Sequence, residues 1–275
     1  MTSTERLLDL ADALDEAKVP FLVMGGHAVR YYGLERNTAD FDFHLSLAAA
    51  DALPERLART RLFQSAMLRE ETTWRGGDFR RFQIGTLPNG REEWMEFWFR
   101  NHLLGPFDEL AIRQETGWVL RRNVPFLSLP DLMRSKETER NDDWRDVAYL
   151  EEVLDQRHLR AVVDAASRVH ALQQLRSRRG FETALLQRHL ADTAAVDAAV
   201  RLAAHPVTLA WLLPYASTQA RSTGAARLES EMASALSRVT PASPRHLALV
   251  EAARLAYQRA AQAKDREDKA RFRAP

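Results

Sequence analysis

The chain has 275 residues, 45% of them apolar, a formal net charge of +1 and no cysteine. That length is enough to bury one large core or two modest ones, and the absence of cysteine excludes disulfides, thiolate zinc sites and a cysteine nucleophile. No apolar run approaches a bilayer span and no basic flank leads into an apolar segment at the amino terminus, so a cytoplasmic protein with no membrane partner is expected.

The composition changes along the chain. Nine of the 11 glycines and 18 of the 23 aromatic residues precede residue 150, which suggests a strand-rich first part and a helical second part. The first 150 residues carry 20 Lys+Arg against 25 Asp+Glu, and the remainder 19 against 13. A positive carboxyl-terminal part fits a surface that receives a polyanion, and equally a solvated helical face.

In chain order, residues 4–18 place Leu7, Leu8, Ala11 and Leu14 at helical spacing, with Thr2 and Glu5 in capping-box positions. Pro20 ends that helix, and the run from Phe21 reads as a strand that meets Gly25-Gly26. Two glycines opening a helix form a tight turn, whose free backbone N–H groups suit a phosphate. Residues 27–36 give a short helix and a loop. The next strand, Asp40-Phe41-Asp42-Phe43-His44, alternates acid and aromatic. Side chains alternate faces along a strand, so Asp40 and Asp42 project together, roughly 7 Å apart, while Phe41 and Phe43 enter a core. Two carboxylates on one face can hold a divalent metal.

Residues 48–61 read as an amphipathic helix with Leu53 and Leu57 on its apolar side. Residues 79–86 and 92–99 flank Leu87-Pro88-Asn89-Gly90, and Asn-Gly between β-rich runs signals a hairpin. In its second strand Met95, Phe97 and Phe99 share the core parity, which turns Trp94, Glu96 and Trp98 the other way. Glu96 is therefore the candidate third acid. Glu92 has the same parity but lies roughly 13 Å back along the strand, and Glu93 falls on the core side or at the strand end.

A strand at 124–127 leads to Ser128, an N-cap followed by Pro130 and Asp131 in the first helical turn. Asn141 opens another helix with acids at its positive end. Helices are expected at 159–175, 181–203, 207–220, 225–237 and 244–269, punctuated by Gly180, Pro206, Gly224, Pro241 and Pro244. The last dozen residues are so densely charged that fraying is expected.

The run Met24-Gly25-Gly26-His27-Ala28-Val29, followed by Arg36-x-Thr38-x-Asp40-Phe41-Asp42, resembles the signature of the minimal nucleotidyltransferases of the DNA polymerase β superfamily. The later run Leu127 to Lys136, with Arg140, Asp143 and Asp146, is similar to a segment of the branch that includes abortive-infection and toxin–antitoxin nucleotidyltransferases. The resemblance covers about residues 20–150. It implies an α+β architecture: a mixed-sheet nucleotidyltransferase catalytic domain (1–128) and an α-helical domain (129–275) with a frayed tail.

The same resemblance implies a catalytic and metal-binding triad of Asp40, Asp42 and Glu96. These would hold two Mg²⁺ ions, Mn²⁺ being able to substitute, with Gly25, Gly26 and Lys136 binding the nucleotide. Two metals about 4 Å apart can stabilise the attacking and leaving oxygens of an in-line phosphoryl displacement. Relatives with Ser at the second glycine position add a hydroxyl that Gly26 lacks. Only 4 of the 39 basic residues are lysines, so Lys136 stands out as a point charge for phosphates.

The implied activity is Mg²⁺-dependent transfer of a nucleotidyl group from an NTP to an acceptor hydroxyl on RNA, such as a tRNA 3′ end. A role in toxin–antitoxin or phage defence, with a cognate antitoxin or toxin partner, belongs to the same expectation. Protein adenylylation, antibiotic modification and a catalytically silent binding relative are the alternatives. Arg36, Thr38, His27, His44, Trp94 and Trp98 lie near the motif and are equally accounted for by loop support or packing.

Overall fold

The capping pair at the amino terminus forms as its spacing requires: Thr2 accepts from the Glu5 amide, Glu5 reaches back to the Thr2 amide, and α1 runs Ser3–Glu16. Its stripe of Leu7, Leu8, Ala11 and Leu14 is buried. The computed structural model describes residues 2–64, 69–74, 78–86, 90–236 and 246–273. They divide into two compact units, Met1–Glu137 with Asp265–Pro275, and Thr138–Lys264.

The first unit is built on a seven-stranded mixed sheet. After α1 come β1 (Phe21–Val23), α2 (Gly25–Tyr31), β2 (Asp40–Leu45), a 3₁₀ turn at Leu47–Ala49, α3 (Leu53–Ala58), β3 (Arg69–Trp74), β4 (Phe79–Thr86) and β5 (Glu92–Trp98). Then follow α4 (Phe107–Ile112), β6 (Glu115–Val119), β7 (Arg122–Phe126) and α5 (Leu129–Ser135). The strand order is β3-β4-β5-β2-β1-β7-β6. The β2–β5 and β1–β7 pairs are parallel and the others antiparallel.

Aromatic residues decide which way the central strands face. Phe41 and Phe43 of β2 are buried, as are Met95 and Phe97 of β5. Phe43 packs edge-on against Phe21 at 5.6 Å and lies 5.8 Å from Phe97. Burying these side chains on one face leaves the alternating acids on the other. Residues 87–89 of the expected hairpin turn lie outside the described residues, but β4 and β5 pair antiparallel and Gly90 adopts φ +80°. Strands β3 and β6 and helix α4 go beyond the sequence reading, and the helix expected at 48–61 is a 3₁₀ turn followed by the shorter α3, with Leu53 and Leu57 buried.

The second unit is helical: α6 (Asn141–Arg160), α7 (Ala165–Leu172), α8 (Arg178–Leu186), α9 (Thr193–Leu202), α10 (Pro206–Leu212), α11 (Thr218–Leu236) and α12 (His246–Arg273) up to Lys264, the residues of α12 from Asp265 on belonging to the first unit. Its core includes Leu172, Leu175, Val196, Ala199 and Leu209, with Phe181 stacked on Trp211 at 5.0 Å. A mixed sheet followed by an α-helical region is the α+β architecture anticipated above.

Several helix boundaries differ, each for a local reason. The span 159–175 is split because α6 ends at Arg160 and Asp164 forms a capping box with Ser167 to start α7. The span 181–203 breaks at Arg188, with φ +61°, and restarts where Asp192 caps the Ala195 amide. Gly180 and Gly224 lie inside helices rather than between them. A Cβ at Gly180 would stand 2.2 Å from Asp155 Oδ2, and one at Gly224 would stand 2.8 Å from Leu213 and 2.9 Å from Val200. Both are close-packing glycines.

Helix α12 continues to Arg273, and Asp265, from the segment expected to fray, is fully buried. Its carboxylate meets His102 Nε2 at 2.5 Å and Lys269 Nζ at 2.9 Å. Charge-rich composition predicts disorder only where the charges find no partners.

Candidate active site

Asp40 and Asp42 occupy alternate positions of β2, both half-buried, with Phe41 and Phe43 beneath the sheet. The parallel register sets Asp40 beside Trp94 and Asp42 beside Glu96. Neighbouring strands are about 4.8 Å apart, so Glu96 and Asp42 stand side by side on one face. The parity of β5 is as counted from the sequence: Met95 and Phe97 are buried and Glu96 faces the aspartates.

Three carboxyl groups on one face cannot all ionise without a compensating charge. Burial, followed by the charges of Asp42 and Asp40 and a hydrogen bond with the Asp42 side chain, pushes the Glu96 carboxyl up to about 9. Arg81 acts in the opposite sense. Glu96 therefore holds a proton at neutral pH and shares a hydrogen bond with Asp42. Among the described residues, no three His, Asp or Glu side chains are already spread into a metal-ligand arrangement. The donor set nonetheless fits a hard divalent cation, being all carboxylate oxygen, and a cation would supply the positive charge that the shared proton supplies here.

The diglycine meets the acids directly. Gly25 begins α2 with φ +62°, and a Cβ there would stand 1.9 Å from Asp42 Oδ2, so only glycine lets the carboxylate lie against the opening of the helix. The Met24 amide donates to the Asp42 carbonyl at 2.9 Å, which ties the entry of α2 to β2. A Cβ at Gly26 would stand 2.6 Å from Thr38 Oγ1, and that hydroxyl donates to the Asp40 carbonyl at 3.2 Å. Thr38 thus fills the space that a side chain at position 26 would need.

Lys136 lies on a neighbouring element. It closes α5, a helix that packs on α2, and its side chain is buried. The start of α5 is fixed as its sequence indicates: Ser128 caps the Asp131 amide, and Arg113 forms a two-pronged pair with Asp131. The motif residues Asp143 and Asp146 are buried in the helical unit, where Asp143 accepts from Thr138 at 2.6 Å and pairs with Arg140 at 3.4 Å.

The remaining candidates divide into packing and one addition. His27 stacks on Phe41 at 4.7 Å, and burial lowers both His27 and His44 to about 4, so both are neutral imidazoles. Trp98 packs on Phe79 at 4.5 Å. Trp94 is buried, and the guanidinium of Arg81 lies over its ring, 3.8 Å from the centroid. Arg81 Nε is 3.3 Å from Glu96 Oε1. Sequence reasoning passed over Arg81 because parity within β5 does not fix the pairing with β4, where continuing the Thr86–Glu92 register evenly would set Phe82 opposite Glu96. A bulge between Gln83 and Gly85 shifts the register and sets Arg81 opposite Glu96.

No helix among the described residues is long and apolar enough to cross a membrane. The sequence matches no protein-family model and no curated protein. Among solved structures, the chain is similar to an antigenic nucleotidyltransferase-like protein from Paracoccidioides brasiliensis, with 18% identity and a TM-score of 0.40 over 71% of this chain and 91% of that one. It is also similar to JHP933 from Helicobacter pylori, with 14% identity and a TM-score of 0.38 over 85% of this chain and 97% of that one.

Proposed function

We propose that this chain is a divalent-metal-dependent nucleotidyltransferase that moves a nucleoside monophosphate from an NTP to a hydroxyl on RNA, with a tRNA 3′ end as the leading acceptor. The observation that carries the reading is the meeting of Asp42 with Glu96 across parallel strands, with Gly25 against the same carboxylate. A structural acid cluster has no need of a helix opening stripped of its Cβ to admit one carboxylate.

In this reading Asp40, Asp42 and Glu96 hold two Mg²⁺ ions, which when bound supply Lewis-acid stabilisation of the charge on the reacting phosphate. The acceptor hydroxyl oxygen forms a bond to the α-phosphorus, the bond from that phosphorus to the β-phosphate bridging oxygen breaks, and pyrophosphate leaves. Glu96, as the third acid beside the acceptor, is the candidate to take the hydroxyl proton. The backbone of Gly25 and Gly26 binds triphosphate oxygens, and Lys136 adds a point charge. The motif resemblance to toxin-like nucleotidyltransferases supports RNA as the acceptor and a role in toxin–antitoxin or phage defence.

The test is incubation of the protein and Mg²⁺ with each labelled NTP in turn, in the presence of total RNA, cell protein or an aminoglycoside. Label in RNA supports the proposal. Label in protein or the aminoglycoside moves the same chemistry to another acceptor, and no label in any fraction contradicts the activity.

A further inference from the structure

We propose that Arg81 is a positioning residue for Glu96: resting over the Trp94 ring, its guanidinium keeps the third carboxyl on the face of Asp42, from which a cation would draw the acids together. The inference rests on the metal-site reading above and adds to it a residue outside the motif.

Three observations support it. First, Arg81 of β4 is the antiparallel register partner of Glu96 on β5, and its Nε lies 3.3 Å from Glu96 Oε1. Second, the guanidinium carbon lies over the ring of Trp94, 3.8 Å from its centroid, and Trp94 is two residues before Glu96 on the same face. An aromatic ring under the guanidinium limits where that group can lie, and a planar guanidinium suits such a platform better than a lysine ammonium does. Third, the bulge between Gln83 and Gly85 is what brings Arg81, rather than Phe82, opposite the acid. Bulges that re-aim a side chain concentrate beside functional sites.

The neighbouring Arg80 provides an internal contrast. It faces the other way, with its Nε 3.7 Å from Glu70 Oε1. If charge balance in the hairpin were all that mattered, Arg80 and Arg81 would be equivalent. Only Arg81 combines an aromatic platform with contact to a carboxyl of the site. The carboxyl that Arg81 orients is also the one with the longest side chain of the three acids, and so the one that gains most from an external support.

The experiment compares Mn²⁺ binding, followed by electron paramagnetic resonance, and NTP turnover for the parent and the Arg81→Met, Arg81→Lys, Trp94→Leu and Arg80→Met variants. Residues that orient a metal ligand typically account for about 10–100-fold in affinity or activity. Arg81→Met should therefore weaken Mn²⁺ binding and lower kcat by about that factor while the KM for NTP stays near the parent value. Arg81→Lys should recover part of the loss, Trp94→Leu should resemble Arg81→Met, and Arg80→Met should bind Mn²⁺ as the parent does. Melting temperatures identify any variant that fails to fold, in which case Arg81→Lys decides.

Equal Mn²⁺ binding and kcat in the parent and Arg81→Met would overturn the positioning role while leaving the transferase reading intact. Mn²⁺ binding that weakens in Arg81→Met, in a parent that transfers no nucleotide, would support the positioning role and remove the transferase reading. A parent that binds no Mn²⁺ with nucleotide present would overturn both.

Discussion

Gly25 and Asp42 are in contact closer than any side chain at position 25 would allow: an added Cβ would stand 1.9 Å from Asp42 Oδ2. The glycine at the opening of α2 and the acid on β2 thus form one structural unit, and the motif that reads as two separate signals is a single close approach. The positive φ of Gly25 adds a second demand for the same residue.

Gly25→Ala is accordingly expected to destabilise the protein by about 1–3 kcal/mol from backbone strain alone, and to displace the Asp42 carboxylate. Mn²⁺ affinity should fall further than the melting temperature suggests. Thermal denaturation together with a Mn²⁺ titration checks this, and a stable Gly25→Ala variant with parental Mn²⁺ binding would contradict it.

Gly26 is constrained by a side chain and not by its backbone, because Thr38 occupies the adjoining space. Gly26→Ser alone should cost about 1–3 kcal/mol as an overpacking change. Combined with Thr38→Ala it should cost less than the sum of the two single changes, since the residues share one volume. Urea denaturation of the four proteins in that cycle measures the coupling.

Glu96 gives the metal-free protein a definite pH dependence. Its carboxyl is pushed up to about 9, against 4.5 for an ordinary glutamate, so the folded protein holds a proton that the unfolded chain has released between those values. Because the folded state binds more protons there, the contribution to stability is complete at or below about pH 4.5 and declines as pH rises toward 9. Glu96→Gln should flatten the decline, and Mn²⁺ should reduce it in the parent by favouring the ionised form. Urea denaturation at pH 6 and pH 9, with and without Mn²⁺, is the measurement; a parent whose stability rises over that interval would refute the assignment.

Asp265 makes a separate test of the first unit. It is fully buried between His102 and Lys269. Asp265→Ala should destabilise by about 1.5–3 kcal/mol, the range for lost hydrogen bonds to charged groups. A melting temperature equal to that of the parent would show that the charged end of α12 contributes nothing.

What could be read from the sequence, and what could not, follows from how local each determinant is. The α1 capping box, the Ser128 cap, the alternation in β2 and the parity of β5 each depend on residues a few positions apart, and all appear as expected. Arg81 escaped because a single bulge resets the register, and register is a property of two strands together. Asp265 escaped because its partner His102 lies 163 residues away. Gly180 and Gly224 read as helix breaks, whereas Asp155, Leu213 and Val200 supply the reason for a missing Cβ from elsewhere in the fold.

The central claim is that Asp42, Asp40 and Glu96 carry nucleotidyl transfer together, and turnover of the Asp42→Asn variant tests it most directly. With labelled NTP, Mg²⁺ and RNA, the parent is expected to label RNA and release pyrophosphate, while Asp42→Asn folds as the parent does and gives no product. An Asp42→Asn protein that labels RNA at the parental rate would contradict the mechanism.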